Sequence, residues 1–171
     1  TYWQKELSTD TKFKIGICWQ GNAQCFLDEH PMTRRSIPLT LLAQLGNLPN
    51  VSLYSLQQIN GVEQLQEISN TITIHVFDEN FDVQHGRYMD TAAVIENLDL
   101  IISIDTSVIH VAGALGKPVW VLLPYTSEWR WLQGRTDTPW YPTMKLFRQP
   151  TPGDWTSVIQ NICEELQKIT R

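Results

Sequence analysis

Short apolar runs alternate with amphipathic stretches along this chain, and that alternation constrains its fold more than any other feature. Residues 14–19 (KIGICW), 51–56 (VSLYSL), 71–77 (TITIHVF), 100–104 (LIISI) and 119–123 (VWVLL) read as strands, with 144–147 as a last short one. Between them, 38–48, 62–69, 90–97 and a segment from Thr106 or Ser107 through Leu115 read as helices, and 155–169 as a closing amphipathic helix. Strands that alternate with helices form a mainly parallel sheet, because parallel neighbours need a crossover connection. The punctuation agrees. Pro38 sits at a helix start, Asp90 reads as an N-cap, and Gly116 followed by Pro118 stops the helix before the fifth strand. Residues 124–142 read as a long ordered loop with one helical turn.

The chain has 171 residues, the size of one domain able to bury a core without disulfides. Its net charge of −5 argues against a nonspecific nucleic-acid binder, which needs a basic face. No apolar run reaches the length of about 18 residues that suggests a membrane span, and the first ten residues are too polar for a signal peptide. Cys18 and Cys163 read as small buried hydrophobes and Cys25 as a loop residue; no C-x-x-C or other metal-like spacing occurs. A reduced, cytoplasmic setting is the expectation. Residues 1–171 read as a single domain with 1–12 as an extension or linker, and the initial Thr suggests a piece of a longer protein.

Ligands of open parallel sheets bind beyond the carboxyl ends of the strands. Three loops at that rim carry unusual residues. The strongest is 104–118 (IDTSVIHVAGALGKP), where a helix start at Thr106 or Ser107 offers backbone N–H groups, a dipole and two hydroxyls to a phosphate. His110 falls one turn later, with Gly113 and Ala114 keeping one face small; a simple cap is the alternative for Asp105, and a packed core residue the alternative for His110. The second is the loop after the first strand, where Gly21 and Asn22 precede an Arg34–Arg35 pair whose guanidinium could grip a diphosphate. The third is the helix start at Asp90 and Thr91, with Thr91 near a nucleobase. Neither the G-x-G-x-x-G nor the P-loop pattern occurs, which disfavours a dinucleotide dehydrogenase or an NTPase.

Aromatic residues are the other anomaly: five of the seven tryptophans fall in the last third, at 120, 129, 131, 140 and 155. They read first as rigid packing for a loop without regular structure, with Arg130 and Arg135 as stacking or anion-binding partners. Asp78, Glu79 and Asp82 read as a hydrated turn.

Together the blocks KIGICWQGN, RRSIPL, DTAAVI, LDLIISIDTSVIHVAGALGKPVWVLLP, WRWL, PWYPTMKLFRQ and GDW resemble the C-terminal half of bacterial heptosyltransferase-like family nine glycosyltransferases. They are most similar to the version found behind tetratricopeptide repeats. The resemblance runs from about Lys14 to Trp155. It implies a Rossmann-like three-layer α/β/α domain, the C-terminal half of a GT-B glycosyltransferase, that binds a nucleoside-diphosphate sugar. It also implies no metal and no cofactor, because a helix dipole and basic side chains stabilise the leaving nucleoside diphosphate. By position, DTSVIH matches the family's D-T-G-x-x-H, so Asp105, Thr106, Ser107 and His110 inherit donor binding; RSIP stands where K-x-W-P is common, so Arg35 inherits the diphosphate. Ser107, Arg35 and Ile37 depart from that pattern. The catalytic base is expected in an acceptor half that this chain lacks, so the fragment alone is expected to be inactive. The acceptor itself stays open, as protein, polysaccharide or lipid-linked sugar. Two other readings stand beside this one: a degenerate fold that binds proteins through its Trp-rich loop, and a sugar-nucleotide epimerase or phosphorylase.

Overall fold

The computed structural model describes residues 2–22, 30 and 33–170. Six strands, β1 (Phe13–Cys18), β2 (Val51–Ser55), β3 (Ile74–His75), β4 (Leu100–Ile104), β5 (Val119–Leu123) and β6 (Met144–Arg148), form one sheet in the order β3-β2-β1-β4-β5-β6, and every pairing is parallel. The order reverses between β1 and β4, and a crevice opens there beyond the strand ends.

Helices cover both faces, which explains why the strands read as unbroken apolar runs. Ile15, Ile17, Ile102 and Leu122 point to one face, beneath α2 (Leu39–Leu42), α3 (Gln64–Ile68) and α6 (Trp155–Ile169). Cys18, Ile101, Val121 and Leu123 point to the other, beneath α1 (Tyr2–Ser8), α4 (Met89–Ile95) and α5 (Ser107–Ala114). Helix α6 buries Trp155, Val158, Ile159, Ile162 and Leu166, a stripe at helical spacing, and the Asp154 carboxylate caps it by accepting from the Ser157 N–H at 3.0 Å.

Three sequence expectations change. Residues 38–48 split into the four-residue α2 and a 3-10 segment, Ala43–Asn47, in which Gly46 packs against Ile72 and Leu53. The strand expected over 71–77 shrinks to two paired residues at the sheet edge, a length that leaves little exposed edge for unwanted pairing. Residues 2–8, read as part of an extension or linker, form α1 against α4, with Leu7 buried and the Trp3 ring edge-on to Phe77 and Phe81.

Asp90 is not the N-cap of α4. Its carboxylate accepts from the Trp3 indole N–H and the Asp82 N–H, both at 2.9 Å. Burial pushes the Asp90 carboxyl upward, but the Trp3, Asp82 and His85 hydrogen bonds outweigh it and hold the group below its ordinary value. The cap comes instead from Asp82, eight residues earlier, which accepts from the N–H groups of Asp90 at 2.7 Å and Thr91 at 3.0 Å. Asp82 therefore does more than line a hydrated turn.

Candidate functional site

The crevice at the β1/β4 reversal is a cleft of about 320 Å³. Gly21, Asn22 and Arg35 approach it from the β1 side, Thr106 and Ser107 from the start of α5, and Thr91 from α4. Six of the eight residues expected from the sequence thus share one cleft. Thr106 has extended backbone (φ −135°) and its side chain makes no capping bond, so the first-turn N–H groups of α5 have no side-chain cap there. The Thr106 hydroxyl has only a long contact with the Ser103 hydroxyl at 3.3 Å and a weak one with the Cys18 sulfur at 3.8 Å.

Gly21 has a specific reason. A Cβ there would lie 2.7 Å from Arg35 Nε, so the glycine admits the guanidinium rather than a ligand. Arg35 Nη1 donates to the Asp105 carbonyl at 2.9 Å, which ties the loop after β1 to the end of β4. Arg34 is exposed and does not line the cleft. Thr91 is buried and its hydroxyl donates to Asp82 Oδ2 at 2.5 Å, so it forms part of the floor.

Gln57, Arg87 and Tyr88 are among the lining residues not read from the sequence. Gln57 is a hub: its Oε1 accepts from the Trp19 and Gln20 N–H groups at 3.0 and 2.9 Å, and its Nε2 donates to the Gln20 and Asn60 carbonyls at 2.9 and 2.6 Å. Tyr88 shares a 2.6 Å hydrogen bond with the Ser107 hydroxyl, and Arg87 lies 5.7 Å over the Tyr88 ring. Tyr88 has φ +66°, a costly left-handed conformation for an aromatic residue, and it lines the cleft. Their position just before the DTAAVI helix was the available signal. Arg35 and Arg87 are the cations of the lining, and no carboxylate lines the cleft among the described residues, in a chain whose net charge is −5.

Asp105 and His110 stand apart from this cleft. Asp105 is buried; its Oδ2 accepts from the indole N–H of Trp131 at 2.7 Å, while Oδ1 lies 3.7 Å from Arg130 Nη1 and 3.9 Å from His110 Nε2. His110 stacks on Trp131 and sits 3.2 Å from the Tyr141 hydroxyl through Nδ1. Burial lowers the His110 pKa, Asp105 pulls it back, and Arg130 lowers it again, so the ring is neutral at pH 7. A Cβ on Gly113 would meet Met144 at 2.5 Å, so the small face of α5 receives a neighbouring side chain.

Asp105 also lines a second lobe of about 260 Å³ with Arg35, Thr126, Ser127, Glu128 and Trp129. Arg35 belongs to both lobes. The tryptophans divide accordingly: Trp120, Trp131 and Trp155 are buried as packing, whereas Trp129 and Trp140 are 73% and 55% exposed, an edge-to-face pair 6.3 Å apart. Arg135 forms a two-bond pair with Asp137, at 2.7 and 2.8 Å, instead of stacking. The Cys18 thiol is buried and pushed up by desolvation, as expected of an inert core thiol; Cys25 lies outside the described residues. Among the described residues, no group of three or more His, Cys, Asp or Glu could hold a metal ion, and no helix is long and apolar enough to cross a membrane.

This is the six-stranded parallel α/β fold of GT-B glycosyltransferases, and the likeness to solved structures carries that statement. The E. coli ADP-heptose lps heptosyltransferase II matches with a TM-score of 0.64 at 15% identity, over 99% of this chain and 51% of that one. A glycosyl transferase family 9 structure from Veillonella parvula matches with a TM-score of 0.59 at 12% identity, over 98% and 50%. A putative UDP-N-acetylglucosamine 2-epimerase from Listeria monocytogenes matches with a TM-score of 0.53 at 15% identity, over 99% and 39%.

More particularly, the glycosyltransferase family 9 (heptosyltransferase) model matches residues 88–163, the stretch from Tyr88 and α4 into α6. Protein FlbA of Caulobacter vibrioides is 25% identical over 158 residues, covering 90% of this chain and 25% of its own. The chain thus spans a quarter of that relative and about half of the two transferase structures.

Proposed function

We propose that this domain binds the nucleoside-diphosphate sugar of a glycosyltransferase reaction, and that it forms the donor wall of a larger GT-B enzyme. The observation that carries the reading is the cleft's charge. Two arginines line it beside the uncapped N-terminus of α5, and no carboxylate does so among the described residues. A diphosphate placed there meets N–H groups, a helix dipole and one guanidinium already oriented by the Asp105 carbonyl.

The same groups favour sugar transfer. As the glycosidic bond to the diphosphate breaks, negative charge grows on the leaving oxygen, and fixed donors stabilise it without reorganising. The helix and the arginines fill that role in this reading, without a metal or cofactor. The base that deprotonates the acceptor belongs to an acceptor half elsewhere in the complete protein. Tetratricopeptide repeats in the same polypeptide and a cytoplasmic setting are part of the proposal, and the family 9 match supports its transferase core. The epimerase alternative shares this fold, so it is separated by chemistry at an acceptor and not by architecture.

Calorimetric titration with ADP, GDP and UDP and their sugars tests the reading. It predicts saturable 1:1 binding of at least one of them. A folded sample that binds none at millimolar concentration contradicts it and favours the protein-interaction alternative, for which the exposed Trp129–Trp140 pair is the available surface.

A further inference from the structure

A chain of hydrogen bonds joins the cleft to α1, and Asp82 is its centre. Oδ1 of this carboxylate accepts from the Asp90 and Thr91 N–H groups, while Oδ2 accepts from the Thr91 hydroxyl at 2.5 Å and from Gln58 Nε2 at 2.9 Å. Gln58 and Thr91 line the cleft, and Asp82 stands behind them. We infer that Gln58 is a specificity-determining residue, which offers its amide oxygen to a hydrogen-bond donor on the nucleoside part of the ligand, and that Asp82 is the positioning residue that aims it. The inference rests on the nucleotide-sugar reading and adds to it two residues, both outside the stretch 88–163 that the family model matches.

The direction of the Gln58 amide follows from what its neighbours offer. A carboxylate accepts and does not donate. The Thr91 hydroxyl spends its one proton on Asp82, so its oxygen is also left as an acceptor, 3.4 Å from Gln58 Nε2. Two acceptors at one end of the amide place the NH2 there and turn Oε1 away from them. Gln58 therefore brings an acceptor to a cleft whose charged lining residues, Arg35 and Arg87, are donors. The phosphate oxygens of a nucleoside diphosphate suit the arginines and the start of α5. Its ribose hydroxyls and base N–H groups are the donors that Gln58 can take.

Asp82 is fixed in its turn. Its backbone has φ +60°, a left-handed conformation that Asp and Asn tolerate, and its N–H donates to Asp90 Oδ2 at 2.9 Å. Each aspartate thus accepts from the other's N–H, which locks the pair. Asp90 is buried, and its Oδ1 takes the Trp3 indole N–H at 2.9 Å, with the Trp3 ring packed edge-on to Phe77 and Phe81. The relay runs from Trp3 through Asp90 and Asp82 to Gln58, so α1 braces the cleft without lining it.

Asp82→Asn separates positioning from capping. Asn keeps Oδ1 for the Asp90 and Thr91 N–H groups and tolerates the same φ, but it puts an NH2 where Oδ2 faced the NH2 of Gln58, so the Gln58 amide must turn. Calorimetry with ADP, GDP, UDP and inorganic pyrophosphate, which lacks the nucleoside's donors, reads the result. For the nucleoside diphosphate that binds the wild-type protein most tightly, Asp82→Asn and Gln58→Ala should each raise Kd about fivefold, and leave the pyrophosphate Kd within about twofold. In a Gln58→Ala background, Asp82→Asn should add less than about twofold, because it acts through Gln58. Equal weakening of pyrophosphate and nucleotide, or additive effects of the two substitutions, overturns the inference and spares the nucleotide reading. The relay is also measured without ligand: the side-chain amide signals of Gln58 in a ¹⁵N–¹H spectrum should move in Asp82→Asn and, less, in Trp3→Phe, which keeps a ring and removes the indole N–H. Signals that ignore Trp3→Phe remove α1 from the relay, and signals that ignore both substitutions overturn it. If no nucleoside diphosphate binds the wild-type protein, the nucleotide reading fails and the specificity role of Gln58 with it, while the spectrum still decides the relay.

Discussion

Replacing Asp105 by Ala should destabilise the domain even when no ligand is present. Asp105 is 5% exposed, and its Oδ2 takes the indole N–H of Trp131, itself 1% exposed, at 2.7 Å. A hydrogen bond to a charged acceptor nets about 1.5–3 kcal/mol, and stranding the buried donor costs about 1–3 kcal/mol. The two figures overlap because they describe one bond, so the loss is about 2–4 kcal/mol. The Arg130 and His110 pairs add little, since both partners are one-third exposed and lie 3.7 Å or more away. For a domain of this size the loss corresponds to a fall of roughly 4–15 °C in melting temperature. Asp105→Asn keeps a carbonyl acceptor for the indole and should recover more than half of it. Thermal and urea unfolding monitored by circular dichroism measure both variants. A melting temperature within about 2 °C of wild type for Asp105→Ala would refute the claim that this carboxylate holds the Trp loop.

The cleft residues should behave in the opposite way. Thr106→Val removes only long contacts, so it should shift the melting temperature by less than about 2 °C while weakening nucleoside-diphosphate binding several-fold, as read by calorimetry. Gly21→Ala places a methyl 2.7 Å from Arg35 Nε and should weaken the same binding by displacing the guanidinium. Asp154→Ala removes the cap of α6 and should cost about 1 kcal/mol in urea unfolding. Stability should also fall as pH drops below about 6.5: His110 has a depressed pKa in the fold, so the unfolded chain takes up the proton first, and His110→Gln should flatten that part of the melting-temperature profile.

The sheet was legible because its signal is local. Strands β4 and β5 match their apolar runs residue for residue, and α6 matches its stripe, since strand and helix periods are written in adjacent residues. Strand β3 was overread because pattern alone does not reveal that TITIHVF lies at an edge and pairs through Ile74 and His75 only. The same limit applies to the site. Thr106, Ser107, Gly21 and Arg35 were found from helix-start and loop chemistry, and the cleft brings them together. Asp105 and His110 were read with them from the one-turn spacing and the family resemblance; in the fold Asp105 points toward Trp131 and His110 stacks on it, 26 and 21 residues away. Asp82 as the cap of α4, Gln57 as the hub and Tyr88 over Ser107 depend on contacts across loops, which no local pattern encodes.

A diphosphate site at the β1/β4 crevice has a location as well as an affinity, and amide chemical shifts measure both. A ¹⁵N–¹H titration with the nucleoside diphosphate that binds most tightly should move the amides of Gly21, Asn22, Arg35, Thr106, Ser107 and Val108 in a single saturable process. The amides of α6 should stay in place. Shifts confined to residues 125–141, or scattered without saturation, would contradict a diphosphate site at the β1/β4 crevice.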